Sequence, residues 1–312
     1  MSIKPTSFLV GVLLFSAGLQ AQTKEQATKC NPGPVFERVN VLLGRKQYEH
    51  AVKALDGLRE CPNLSAVQRF ETGWLYGRAR RFDVALRIFN SIPQNVPNRS
   101  THDYAIALSK FELGDYHGAI NVLNGLNLAG ESDAKGNNLL AVSYSKLGLY
   151  KEAYGVLVQE TRNNPGDLSA FLNLVTVCAE GGDFAKAADV ASRATELFPK
   201  SPEVFIVLGA ANTLLGRLDE AYEDFAAGTR LAPQKADARF FLALIDYKQG
   251  KFFNAIAVLQ AADKEGIQDS DLHYLMAECL LKANSGNKGA ALAELDRAVD
   301  LNAISVPART LR

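Results

Sequence analysis

The sequence predicts an all-α solenoid of about eight helix-turn-helix repeats. Three observations predict it: an alanine returns every 34 residues, large apolar side chains flank it at offsets of three and four, and glycine or proline stands where helices must stop. The alanines are Ala51, Ala85, Ala119, Ala153, Ala187, Ala221 and Ala255, with Ala291 following after 36 residues. Three residues before the first seven stand Tyr48, Phe82, Tyr116, Tyr150, Phe184, Leu218 and Phe252, and four after them Leu55, Phe89, Leu123, Leu157, Ala191, Phe225 and Leu259, with Leu295 after Ala291. Those offsets share one helix face. Gly114, Gly148, Gly182, Gly216 and Gly250 recur five residues before the alanine, where a preceding helix can end at positive φ. Twelve before the first seven alanines comes a small residue or valine (Val39, Gly73, Ala107, Ala141, Val175, Gly209, Ala243), with Ala277 fourteen before Ala291, and twelve after the alanine Pro97, Pro165, Pro199 and Pro233 stop the second helix.

The chain opens MSIKPTSFLVGVLLFSAGLQAQTK, with Lys4 ahead of an apolar or small run from Phe8 to Leu19. A positive start, a run shorter than the roughly 20 residues of a bilayer span and a small residue at its end predict a signal peptide over residues 1–21, cleaved near Ala21. The expectation is an exported protein, periplasmic or extracellular. After a linker at 22–31, repeats are expected near 32–65, 66–99, 100–133, 134–167, 168–201, 202–235, 236–269 and 270–303, and then a tail at 304–312. Each reads helix A, tight turn, helix B, stop. Seven residues after the alanine, Leu58, Ile92, Leu126 and Glu160 in the first four repeats give way to Ala194, Gly228, Ala262 and Ala298, which makes Glu160 the expected irregularity. The last repeat carries two extra residues in NSGNKG, 284–289, where the turn is expected to bulge.

This pattern resembles the tetratricopeptide repeat, and the segments from Phe171 to Pro199 and from Phe205 to Pro233 fit it almost throughout. The resemblance implies a right-handed superhelix whose helices A line a concave groove. Carried over position by position, the partner-binding set is Phe36, Asn40, Phe70, Trp74, Arg78, Tyr104, Phe111, Asn138, Lys146, Phe240, Tyr247 and Tyr274, with Glu112, Lys135, Thr176, Glu180, Glu203, Lys248, Glu278 and Lys282 on the same face. Exposed aromatic rings on such a wall suit a protein or peptide with apolar anchors. The recurring Lys and Asn set of the family's carboxylate clamp is absent.

Composition narrows the function classes. Basic and acidic residues balance at 34 each, so no net field draws nucleic acid, and membrane contact is expected to be indirect at most. Four Cys and four His are too scattered for a metal scaffold, and His50, His102, His117 and His273 are expected at the surface; no metal or cofactor is expected. Cys30 precedes helix A of the first repeat and Cys61 ends its helix B, so an antiparallel pair brings them together; a disulfide, or two free thiols, follows. Cys178 and Cys279 read as small core residues. Ser143 and Lys146 form an S-x-x-K, yet no K-T-G follows, and the chain is read as no enzyme. The function expected is a non-catalytic interaction scaffold in cell-envelope assembly or an exported complex; the alternatives are a glycan-binding subunit of an envelope enzyme complex and a structural spacer.

Overall fold

A computed structural model of the chain describes residues 31–58, 61, 63–93, 98–283 and 287–302. Sixteen α-helices follow one another, and no strand occurs among the described residues. They fall into two compact units, Met1–Gly136 and Asn137–Arg312. The first holds α1 (Pro32–Gly44), α2 (Tyr48–Asp56), α3 (Ala66–Arg78), α4 (Phe82–Asn90), α5 (Arg99–Glu112), α6 (Tyr116–Leu128) and the opening residues of α7 (Ala134–Lys146). The second holds the rest of α7, then α8 (Tyr150–Asn163), α9 (Leu168–Glu180), α10 (Phe184–Leu197), α11 (Pro202–Leu214), α12 (Leu218–Leu231), α13 (Ala236–Lys248), α14 (Phe252–Lys264), α15 (Ser270–Ala283) and α16 (Lys288–Leu301).

Local chemistry sets the helix ends. Proline opens α1 and α11, where its missing N–H removes no hydrogen bond. Ser65 and Gln68 form a reciprocal capping box on α3, while Asp115 and Asp183 accept backbone N–H groups at the starts of α6 and α10. The A-to-B turns pass through the left-handed region at Gly114, Gly148, Gly182, Gly216 and Gly250, with φ between 72 and 81°. In the first two repeats Lys46 and Arg80 occupy that place at φ 57 and 62°, a conformation that strains a residue with a Cβ.

Packing explains the 34-residue period. The eight repeat alanines are at most 1% exposed and the residues four positions later at most 2%, and each large side chain so buried stabilises the fold by about 1.5–3 kcal/mol. Ring size is matched across each hairpin. Phe89 and Phe225 stand opposite Gly73 and Gly209, where an added Cβ would approach the ring to 2.7 Å and 3.0 Å respectively. In the others of the first seven repeats the later residue is Leu or Ala and the residue twelve before the alanine is Ala or Val; in the eighth, Leu295 goes with Ala277, fourteen before Ala291. Within the first unit α2 packs on α1 and α3, α4 on α3 and α5, and α6 on α5; within the second α8 packs on α9, α10 on α9 and α11, α12 on α11 and α13, α14 on α13 and α15, and α16 on α15. Successive odd helices also touch, α1 with α3 and α3 with α5 in the first unit, and α9, α11, α13 and α15 in series in the second. The odd helices therefore share one layer of each unit.

Glu160 is buried as its register requires, at 2% exposure, and its carboxylate accepts hydrogen bonds from the side-chain amides of Asn137, at 2.6 Å, and Asn164. Two asparagines thus satisfy a charge that the repeat pattern does not provide for. Residues 284–286 of the final turn lie outside the described residues, as do residues 1–30 with the expected leader and Cys30, Pro97, and residues 303–312. No described helix is long and apolar enough to cross a membrane.

Candidate functional site

The odd-helix layer of the first unit carries an aromatic cleft. Phe70 and Trp74 lie one turn apart on α3, with ring centroids 6.4 Å apart and planes within 15°. With Tyr104, Ser100 and Thr101 of α5, Leu126 of α6, and Glu131, Asp133, Lys135 and Gly136 at the entry to α7, they line a cleft of about 260 Å³. All of these residues belong to the first unit. Trp74 is 39% exposed, high for the largest apolar ring in the chain. On its other side a second cleft of about 200 Å³ runs past Arg78, Phe82, Leu108 and Glu112. A third, of about 140 Å³, lies along Phe70 beside Val67, Asn98 and His102.

The rings rest on a fixed base. Phe70 packs on Phe89 at 5.4 Å and on His102 at 6.5 Å, and His102 meets Phe89 edge-on. His102 Nε2–H donates to the Phe89 carbonyl at 2.9 Å, and Nδ1 lies 3.2 Å from the Asp103 carboxylate. The expected surface histidine is instead 5% exposed, because the odd-helix register turns it inward onto the C-terminal end of α4, where the Phe89 carbonyl also accepts the Ile92 N–H at 3.0 Å. Burial, and then the Asp133 charge, push the Tyr104 phenol up, so it stays protonated and able to donate. Asp133 accepts the Gly136 N–H at 2.8 Å at the start of α7. Among the described residues no hydrogen bond or ion pair engages the Glu131 carboxylate or the Lys135 ammonium.

Comparison with known proteins places this geometry in a family. Residues 138–202 match the family model described as tetratricopeptide repeat, and residues 224–298 match that of the anaphase-promoting complex, cyclosome, subunit 3. A tetratricopeptide repeat protein from Parabacteroides merdae superposes with a TM-score of 0.60 at 14% identity, over 79% of this chain and 96% of that one. The chain is a tetratricopeptide repeat protein. The anaphase-promoting complex hetero-tetramer Cut9–Hcn1 shares the tetratricopeptide repeat fold with a TM-score of 0.54 at 14% identity, covering 89% of this chain and 54% of that one. BBSome complex member BBS4 from Bos taurus is 26% identical over 212 residues, and that from Mus musculus 25% identical over 199. These alignments take in 66% and 62% of this tetratricopeptide repeat chain but only 40% and 38% of the relatives, so it spans less than half of their length. Both family-model matches lie in the second unit; the aromatic cleft lies in the first.

The other tetratricopeptide repeat positions expected to bind separate into distinct settings. Phe36 is a core residue at 7% exposure, packed in the first repeat instead of lining a groove. Asn40 donates to the Phe36 carbonyl at 3.0 Å and accepts from the Arg78 guanidinium, which ties α1 to α3. Phe111 is half-buried and meets Tyr116 edge-on at 5.3 Å. In the second unit Asn138 donates to Asp167 at 2.8 Å and accepts from Asn173 at 2.9 Å, a structural bridge. Lys146 is exposed, and the fully buried Ser143 hydroxyl donates to the Leu139 carbonyl within its own helix. Phe240 packs against Phe241 at 5.5 Å. Tyr247 meets Phe252 at 5.6 Å, and Tyr274 donates to Glu278 at 2.9 Å; burial and that carboxylate push the Tyr274 phenol up to about 12. Cys178 and Cys279 are free and buried. Cys61 is buried, with Sγ 3.8 Å from the Gly57 carbonyl, and its expected partner Cys30 lies outside the described residues.

Sequence reasoning by helix A position missed the loop residues of the cleft, Glu131 and Asp133. One signal pointed to them: Glu131 stands twelve residues after Ala119, where four other repeats have the stop proline.

Proposed function

We propose that this chain is a non-catalytic scaffold that holds a protein or peptide partner on the odd-helix face, with the Phe70, Trp74 and Tyr104 cleft of the first unit as its anchor site. The observation that carries the reading is the exposure of Trp74, its ring flanked by clefts and its neighbour Phe70 braced by Phe89 and His102. A rigid aromatic anchor of this kind concentrates binding energy. The relatives agree in kind, since their names denote a member of the BBSome complex and a hetero-tetramer of the anaphase-promoting complex. The apolar run from Phe8 to Leu19 behind Lys4 supports export, and with it a place in envelope assembly or another exported complex.

The test is affinity capture from envelope extract with wild type, Trp74→Ala and Phe253→Ala, the last removing a 71% exposed ring from the even-helix layer. Loss of the same partner with Trp74→Ala alone supports the anchor. Equal capture by all three refutes it.

A further inference from the structure

The cleft has an electrostatic character as well as an aromatic one. Three aromatic rings, Phe70, Trp74 and Tyr104, share its lining with two carboxylates, Glu131 and Asp133, and one ammonium, Lys135, which leaves a net single negative charge. Aromatic faces attract cations, most strongly those of Trp, and the attraction grows where water is partly excluded. At about 260 Å³ the space is smaller than the roughly 300–1,000 Å³ of small-molecule pockets and suits one side chain. We propose that this cleft takes the guanidinium or ammonium head of an arginine or lysine, presented by a basic segment of the partner protein.

The proposal rests on the interaction-scaffold reading and narrows its partner. The Glu131 carboxylate is exposed and makes no hydrogen bond or ion pair among the described residues, so a guest cation displaces no internal partner from it. Asp133 keeps one oxygen on the Gly136 N–H and has a second for the guest. The protonated Tyr104 phenol adds no charge of its own. An acidic segment would meet those two carboxylates and be repelled. A basic segment meets opposite charge and apolar stacking together, the combination that makes arginine a frequent interface anchor.

The chain's single tryptophan is the reporter. Full-length protein is titrated with N-acetyl-arginine amide, its uncharged isostere N-acetyl-citrulline amide and a neutral chito-oligosaccharide, followed by Trp74 fluorescence. The proposal predicts a saturable change with the arginine probe and at least about tenfold weaker binding of the citrulline probe. Glu131→Gln with Asp133→Asn, which retains the side-chain oxygen facing Gly136, is predicted to weaken the arginine probe about tenfold while leaving the thermal midpoint in place. Equal response to the charged and uncharged probes, saturation by the oligosaccharide alone, or no saturable response overturns the cation assignment. A peptide array on wild type and Trp74→Ala separates the two readings. Trp74-dependent binding of neutral peptides leaves the anchor standing and refutes the cation. Trp74-independent binding refutes the anchor itself.

Discussion

Gly73→Ala and Gly125→Ala are the same substitution inside two helices of the first unit, and the structure predicts opposite signs for them. Alanine is favoured over glycine in a helix interior by up to about 1 kcal/mol, and at Gly125 nothing lies within 4 Å of the new Cβ, so that variant gains about 0.5–1 kcal/mol. At Gly73 the new Cβ stands 2.7 Å from Phe89 Cε1 and 3.1 Å from Cδ1 and Cζ. The ring is 1% exposed and held by Phe70 at 5.4 Å and His102 at 6.3 Å, so it has no free direction in which to yield. Overpacking of this kind costs about 1–3 kcal/mol, which outweighs the propensity gain and leaves a net loss of about 1 kcal/mol. Urea unfolding followed by Trp74 fluorescence reads both variants in the same unit. If Gly73→Ala raises the midpoint as Gly125→Ala does, Phe89 does not press on α3 and the assigned packing is wrong. The loss also bears on function, because Phe89 is the support of Phe70 in the cleft.

Three further outcomes follow from named features. Asp246 is 1% exposed, neither carboxylate oxygen has a hydrogen-bond partner among the described residues, and burial pushes its pKa up against the opposing pull of Lys251, with Tyr222 and Cys279 also nearby. A carboxyl whose folded pKa is raised favours the fold at acid pH, below the ordinary value near 3.8, and loses that contribution as pH climbs to the folded value. Asp246→Asn is therefore expected to melt higher than wild type at neutral pH and to converge with it in acid; parallel curves across pH contradict the burial of a lone carboxylate. Arg80→Gly removes a Cβ from the left-handed region at φ 62°, and gains up to about 1 kcal/mol after the greater chain entropy of glycine is subtracted, measured as the shift in thermal midpoint. A bridge between Cys30 and Cys61 predicts that reduction adds the mass of two hydrogens and removes roughly 3 kcal/mol of stability; unchanged intact mass refutes it.

Much of this fold is written locally. The alanine, its flanking apolar residues and the turn glycines each follow from one helix face or one φ value, so a single period exposes them. The pairing of Gly73 with Phe89 and of Gly209 with Phe225 is visible in the sequence once the hairpin is assumed, since a small residue must face the larger ring. What was not legible depends on partners from other helices. His102 and His273 are buried because a carbonyl 13 residues away and the Glu294 carboxylate 21 residues away receive their ring nitrogens. Lys46 and Arg80 take left-handed backbone that their side chains do not announce, since the turn geometry of the stacked hairpin imposes it. Phe36 belongs to the expected groove by position yet packs into the core. The acidic rim of the cleft comes from a connection between repeats, which the helix A register does not describe.

The claim that organises the rest is that Trp74 anchors the partner. The direct measurement is titration of the captured partner into wild type and Trp74→Ala, with acrylamide access to the indole recorded in the free and bound wild type. The account predicts a shielded indole in the complex and a Kd weakened by at least about thirtyfold, equivalent to about 2 kcal/mol, in the variant. An unchanged Kd with an indole that stays open to the quencher contradicts it.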